Sequence, residues 1–437
     1  VASHLDEALQ ITAAVLAKPA HASALTAFSV GHAHLDLGWL WPYRETRRKS
    51  ARTIATALRM IEEYPSYRFG ISQPQQLEWL KKDYPALFGQ VKQRIADGSI
   101  ECQGGHWVEC DMNLIGNESI VRQFLYGKRF YRDEFGIEVD HVWLPDAFGF
   151  PASLPQVMAG CGLRWFVTQK ISWNETNQFP HHTFLWKGID GTVVNAHFLP
   201  TNDYNLTNEP AVLRAAERRF AQGGIQDAFL NLYGIGDGGG GPSRRHIEWA
   251  LRAADCEGLP HVRMATAREF FDHLAQVGNA GLPEWRGELY LELHRGTYTV
   301  QSKMKRYNRL LEHALHDVEF LGATAMLAEG ATYPKQEMER IWKETLLNQF
   351  HDVLPGSSIA QVYRDAHAMS EHNLKRLEEL KGSWCHDSGS SNIGRSIVNT
   401  LSWNRRAVLQ LDEHWFVVDM PGFSSVMLGE HHRLRDD

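Results

Sequence analysis

The spacing of apolar positions changes several times along the chain, and each change marks an element. Residues 1–25 read as a helical lead-in, with Leu5, Leu9, Ile11, Ala14 and Val15 apolar. Over 26–284, short apolar runs alternate with amphipathic stretches. The runs at 27–34 (AFSVGHAH), 67–72 (YRFGIS), 100–105 (IECQGG), 141–146 (HVWLPD), 164–169 (RWFVTQ), 192–199 (TVVNAHFL) and 228–234 (AFLNLYG) predict strands. Between them, Ile54, Ala57, Leu58 and Ile61 keep the i, i+3, i+4, i+7 spacing of a helix. Leu87, Val91 and Ile95 mark another, and 117–135 carries Ile120, Phe124 and Leu125 on one face. Strand and helix alternating in this way predict an α/β fold with a parallel sheet or barrel, whose ligands sit at the carboxyl ends of its strands.

After about residue 285 the pattern lengthens. The stretches 303–330, 334–350 and 359–381 are long helical patterns joined by short turns, and 285–385 reads as a three-helix bundle. A Gly/Ser-rich linker, HDSGSSNIGRS, follows. The strand-like pieces SIVNTL, AVLQL, WFVVDM and SSVML then place the start of a β domain in 386–437. So few short strands before Asp437 predict a chain cut within that domain. The text shows no internal repeat and no coiled-coil heptads.

Composition narrows the class. The chain has 437 residues, 43% hydrophobic and 22% charged, which is ordinary for two or three globular domains. A net charge of -7 argues against nucleic acid, which wants a basic face. No Lys/Arg run suggests a membrane surface, no apolar stretch of about 18 residues suggests a span, and no signal peptide is visible. The chain opens on Val1, which leaves an upstream segment open. Cys102, Cys110, Cys161, Cys256 and Cys385 are odd in number and widely spaced, with no CxxC pair. They predict free thiols in a reducing, cytoplasmic compartment, not a disulfide framework or a thiolate metal site.

The 22 histidines direct attention to metal ligands. In GHAHLDLGW (31–39), His34 and Asp36 lie two apart, so an extended chain turns both to one side; His32 shares that side. In WLPDAFGF (143–150), Asp146 follows an apolar strand directly and precedes Phe148 and Gly149. Such a position is functional more often than it is a helix N-cap. In NQFHDVLPGSS (348–358), His351 and Asp352 stand where a helix stops before Pro355 and Gly356, and a helix C-terminus favours a cation. In YGIGDGGGGPS (233–243), Asp237 precedes four glycines that let the backbone approach a ligand, and no Gly-Lys-Ser/Thr follows to make a P-loop. Each feature alone also has a structural explanation. Together they offer mixed nitrogen and oxygen donors suited to zinc, and also to manganese or cobalt.

Five blocks extend these signals: GHAHLDLGWLWPYRETRRK, WLPDAFGFPASLPQVMAGCGLRWFVTQKISWNETNQFPHHTFLWKGIDG, GDGGGGPS, ELHRGTYTVQSKMKRYNR and NQFHDVLPGSSI. In this order they resemble the signatures of glycoside hydrolase family 38 α-mannosidases, in particular the bacterial and cytosolic or vacuolar branch. The resemblance implies a (β/α)7 barrel, a three-helix bundle and β domains. It implies zinc held by His34, Asp36, Asp146 and His351, with Asp146 also the nucleophile and His32 structural. Asp352 would bind sugar hydroxyls, Trp39 and Phe148 would wall the sugar, and Asp237 matches the acid/base less closely.

The chemistry of a retaining glycosidase agrees: one carboxylate attacks the anomeric carbon and another, about 5–5.5 Å away, protonates the leaving oxygen. Asp237 is expected to have apolar or anionic surroundings that keep a proton on it. The axial 2-hydroxyl of mannose, cis to the 3-hydroxyl, gives one cation a chelating pair. The polar segments WVECDMN and ELHRG suggest Glu109, Asp111 and Arg295 as substrate contacts. The implied partner is a mannose-containing oligosaccharide or mannoside, with no nucleic acid and no membrane, and a homo-oligomer is left open. A metal-dependent carbohydrate deacetylase is the competing enzyme class, and Asp237 discriminates, because a deacetylase has no use for it. A metal- and sugar-binding fragment without turnover is the third reading.

Overall fold

Strand β1 (Thr26–His32) starts the first unit and shows how the sequence builds it. Its Ala27 packs outward with Leu213, Phe220 and Ala250, while Phe28 and Val30 pack inward with Trp143, Val167 and Leu230. That period of two is what a strand imposes, and it carries the inward face on through His32 to His34. The parallel neighbours of β1 are β2 (Phe69–Ile71) and β8 (Ala228–Tyr233), and β3 (Ile100–Cys102) lies beyond β2. A second arc runs β4 (His141–Leu144), β5 (Trp165–Thr168) and β7 (Val193–Phe198), again parallel. The arcs meet twice: Gly105 N donates to His141 O at 2.9 Å, and Leu230 N to His197 Nε2 at 3.2 Å. The outcome is the (β/α)7 barrel. The seven strand runs read from the sequence each fall on one of these strands.

This computed structural model describes residues 2–384, 396–411 and 413–434. Cys385 and nearly all of the linker lie outside the described residues. Cys102 and Cys110 are free and buried; Cys161 and Cys256 are free and partly exposed. The lead-in forms helix α1 (Ala2–Leu16), which stops well before residue 25. The barrel helices are α2 (Tyr43–Glu63), α3 (Pro74–Asp83), α4 (Pro85–Ala96), α5 (Asn117–Phe135), α6 (Leu154–Gly160), α7 (Pro210–Arg219), α8 (Arg244–Arg252) and α9 (Ala267–Val277). Helix α5 ends on Gly136 in the left-handed region (φ 71°), whose N–H caps Arg132 O at 2.9 Å.

Three strands were not foreseen. Strand β6 (Thr183–Lys187) is an antiparallel excursion paired with β7, β10 (Glu284–Arg286) pairs with β6, and β9 (His261–Met264) pairs with the lower half of β1. Helix α9 closes the bottom of the barrel. Its Phe270 lies against Phe28 of β1 and His197 of β7, and its Phe271 against His141 of β4 and Trp165 of β5. At the opposite end, the carboxyl ends of the strands open onto a cavity.

The chain divides into two compact units, Val1–Lys305 with Lys343–Ala366, and Arg306–Trp342 with His367–Asp437. The long helices are α10 (Ser302–Glu329), α11 (Lys335–Asn348) and α12 (Ala360–Trp384), within a few residues of the expected bounds. Inside the second unit Trp342 Nε1 donates to Glu319 at 2.7 Å, Arg376 pairs with Glu337 at 2.6 Å, and the Tyr307 ring meets His367 edge-on. These contacts join the three helices pairwise. The strands that follow, β11 (Ser396–Asn399), β12 (Arg405–Leu411), β13 (His414–Met420) and β14 (Ser424–Met427), form two antiparallel pairs, β11 with β14 and β12 with β13.

Candidate metal centre

The groups that carry chemistry gather at the carboxyl ends of the barrel strands. His34 and Asp36 follow β1, Glu109 lies beyond β3, Asp146 follows β4, Lys170 follows β5, Tyr204 lies beyond β7 and Asp237 follows β8. His351 comes from the segment after α11. That segment is docked by an antiparallel bridge, Cys110 opposite Phe350, in which Asp111 N donates to Gln349 O at 3.0 Å.

His34, Asp36, Asp146 and His351, all buried, offer one ligand atom each, and those four atoms lie within 4.8 Å of one another. His34 Nε2 is 3.0 Å from Asp36 Oδ1 and 3.5 Å from Asp146 Oδ2, and His351 Nε2 is 3.4 Å and 3.6 Å from the same two oxygens. His34 Nε2, His351 Nε2 and Asp36 Oδ1 are buried without a hydrogen-bond partner of acceptable geometry. Buried polar atoms left so, converging from two imidazoles and two carboxylates, could hold a divalent metal ion. His32 is not in this ring; its Nε2 meets Tyr204 O at 2.7 Å, and burial lowers its pKa to about 4.

The electrostatics of the ring say the same. Burial alone would depress the His34 imidazole, yet the Glu109 and Asp36 carboxylates outweigh it and hold it well above its ordinary value. Burial alone would raise the Asp146 carboxyl. The imidazoles of His34 and His351 and the Lys170 ammonium hold it well below the usual carboxylate range. Without a cation the carboxylates draw protons onto the histidines, and a metal would replace those protons.

A cavity of about 480 Å³ opens above the ring. Asp36, Trp39, Asp146, Phe148, Asp237 and Asp352, all anticipated, line it. Phe148 stands edge-on to His351, with centroids 5.7 Å apart. Burial and the neighbouring Asp36 raise the Asp352 carboxyl, which takes a hydrogen bond from Ser357.

Asp237 is half-buried in the left-handed region (φ 53°), and Asp36 N donates to its carbonyl at 2.9 Å. Its carboxylate accepts from Tyr204 Oη at 3.0 Å and from Asn205 Nδ2 at 3.4 Å. Donors surround it where apolar or anionic groups were expected. Gly236 beside it has no room for a side chain, since a Cβ would collide with Asn205 Oδ1 and come 3.2 Å from His34 Cβ.

Three expected substrate contacts lie elsewhere. Glu109 is buried behind the ring, with Oε2 2.8 Å from His34 Nδ1. Asp111 is buried and accepts from Asn113 N and Leu114 N, both at 2.8 Å, so it shapes its own turn. Arg295 is exposed and donates to Glu292 O at 3.0 Å, while its neighbours His294 and Gly296 reach the cavity. Sequence reasoning missed Lys170, Trp173 and Tyr204. Lys170 pairs with Asp146 and sits 3.7 Å above the Trp173 ring. Tyr204 donates to Asp237, and burial together with the Asp146 and Asp237 charges raises its phenol pKa. The signal for Lys170 was the one used for Asp146: a charged residue just past the end of a barrel strand.

The model for the glycosyl hydrolases family 38 N-terminal domain matches residues 24–288, more than half of the chain, and the α-mannosidase middle domain matches 292–386. The chain belongs to glycosyl hydrolase family 38. As a family 38 chain it is 43% identical over 394 residues to human α-mannosidase 2C1, covering 88% of this chain and 37% of that protein. It is 43% identical over 339 residues to α-mannosidase G of Dictyostelium discoideum, covering 77% of this chain and 31% of that one. It therefore spans about a third of the length of these relatives. The crystal structure of an α-mannosidase from Enterococcus faecalis shares the fold, with a TM-score of 0.77 at 20% identity over 88% of this chain and 46% of that one. Among the described residues, no helix is long and apolar enough to cross a membrane.

Proposed function

We propose that this family 38 chain is the catalytic part of a retaining α-mannosidase that holds a divalent metal, zinc first among the candidates, against the terminal sugar. One observation carries the reading: Asp146 belongs to the four-residue ring and also faces the cavity. Held by His34, Asp36, Asp146 and His351, such a cation would supply Lewis-acid assistance to the sugar hydroxyls, for which mannose offers a cis 2,3-pair.

The chain's own residues do the rest. Asp146, kept ionised by His34, His351 and Lys170, attacks the anomeric carbon. Asp237, on the same cavity, protonates the leaving oxygen and later takes a proton from water. Tyr204, which donates to Asp237, lines the cavity together with both carboxylates. Trp39 and Phe148 give the sugar apolar walls, and Asp352 accepts from its hydroxyls. The substrate is a mannose-terminated oligosaccharide or mannoside. Asp237 opposes the deacetylase alternative, which would leave that carboxyl idle. A metal- and sugar-binding unit without turnover is the alternative that the activity assay decides.

Hydrolysis of an aryl α-mannoside tests the proposal, with and without chelator, for wild type, Asp146→Ala and Asp237→Ala. Chelation and Asp146→Ala should abolish turnover. Azide, or a leaving group that needs no proton, should rescue Asp237→Ala. Full activity after chelation or in Asp146→Ala would refute it. Metal-dependent mannose binding with no turnover in wild type would select the alternative without turnover.

A further inference from the structure

We infer that Glu109 is the positioning residue for both histidines of the ring, aiming His34 with its carboxylate and His351 with its main-chain carbonyl. Its Oε2 lies 2.8 Å from His34 Nδ1. Its carbonyl oxygen lies 2.6 Å from His351 Nδ1 and also accepts the His351 main-chain N–H at 3.2 Å. The carbonyl hydrogen-bonded to His351 Nδ1, and the carboxylate charge beside His34 Nδ1 in an ion-pair contact without hydrogen-bond alignment, favour a proton on each Nδ1 and leave the lone pair of each Nε2 to the ring. With both Nδ1 atoms facing one residue, both Nε2 atoms face the same point. The two rings are accordingly nearly parallel, 20° apart with centroids at 5.3 Å.

Glu109 is itself held from the end of β2. Ser72 Oγ donates to its Oε1 at 2.5 Å, and its N–H donates to Gln73 Oε1 at 3.1 Å. Gln73 Nε2 in turn donates to Leu35 O at 2.9 Å, the peptide between His34 and Asp36. One buried polar chain thus links β2 to three of the four ring residues. Glu109 does not line the cavity, so it acts through the histidines and not on the sugar.

The inference rests on the metal reading, and the test separates the two. Zinc affinity of the full chain is measured after metal removal, by competition with a chromophoric chelator, for wild type, Glu109→Gln, Glu109→Ala and His351→Ala. The absorption spectrum of the Co2+-loaded proteins is recorded alongside. Gln keeps the size and an acceptor but loses the charge, so about a tenfold loss is expected. Ala loses both, and the loss should approach about 100-fold. Both variants should change the Co2+ spectrum, a signature that a merely structural role would not move. Glu109→Gln carries the test if Glu109→Ala fails to fold. Zinc affinity within twofold of wild type in Glu109→Gln and an unaltered Co2+ spectrum would overturn the inference while leaving the metal reading standing. No stoichiometric zinc in wild type, or wild-type affinity in His351→Ala, would overturn both.

Discussion

Replacing Lys170 by Met removes one charge from the centre of the barrel mouth while keeping the side chain's length. Lys170 is 4% exposed, paired with Asp146 and enclosed by the rings of Trp173 at 3.7 Å, Phe148 at 5.8 Å and Tyr204 at 5.8 Å from its ammonium. At an effective dielectric near 20, two unit charges ~4 Å apart attract by about 4 kcal/mol. Deleting one partner of a buried pair costs about 3–5 kcal/mol, because the other charge is left without compensation. Asp146 would not be alone, since His34 Nε2 and His351 Nε2 stand 3.5 Å and 3.6 Å away. The loss in the metal-free protein should therefore fall near the lower end, about 3 kcal/mol. A bound cation would supply the missing positive charge, so zinc should close most of that gap. The assay is urea unfolding followed by tryptophan fluorescence, for wild type and Lys170→Met, after chelation and again with zinc. An unchanged urea slope would confirm that the midpoint reports stability. The reasoning fails if metal-free Lys170→Met is as stable as wild type, or if zinc leaves the difference as large as before.

Other parts of the account can be checked independently. Gly127→Ala in α5 would put a Cβ 2.5 Å from the carbonyl carbon of His106 and closer still to Gly105 O, so about 3 kcal/mol should be lost in the same urea assay. Burial would raise the half-buried Asp140 carboxyl, but His141, Arg164 and Arg268 hold it well below its ordinary value. The stability it contributes is complete above about pH 4 and is lost as pH falls through the folded value, so Asp140→Asn should flatten the acid limb of a pH–Tm profile. Lys305 Nζ donates to Val300 O at 2.5 Å, Leu354 O at 2.9 Å and Pro355 O at 3.1 Å, tying together two segments of the cavity wall. Lys305→Met should raise KM for an aryl mannoside severalfold without lowering zinc affinity, and an unchanged KM would count against that role.

The barrel was legible because its strands are short, apolar and separated by helical spacing, so 27–34 and 228–234 could hardly be read otherwise. Strand β6 was not, because TFLWK follows a polar loop and pairs antiparallel with β7, outside the rhythm of the barrel. Strand β9 has only four residues and pairs with only part of β1. At the site, His34, Asp36 and Asp146 stood out because a polar residue directly after an apolar run is easy to see. His351 could be read as a helix end, but nothing in the text said that its segment bridges to Cys110. Glu109 and Asp111 were misplaced for a related reason. In a loop without a regular period, sequence does not say which side chains face the cavity, and these two turn away from it. Tyr204 lies in such a loop and carried no signal of its own.

The central claim is that four side chains distant in sequence share one ion. Crystals of the zinc-loaded chain, measured on either side of the zinc absorption edge, test this most directly. The account predicts a single anomalous peak about 2.0–2.2 Å from His34 Nε2, His351 Nε2 and a carboxylate oxygen each of Asp36 and Asp146. A peak elsewhere, a peak without Asp146 among its neighbours, or no peak at all would contradict it.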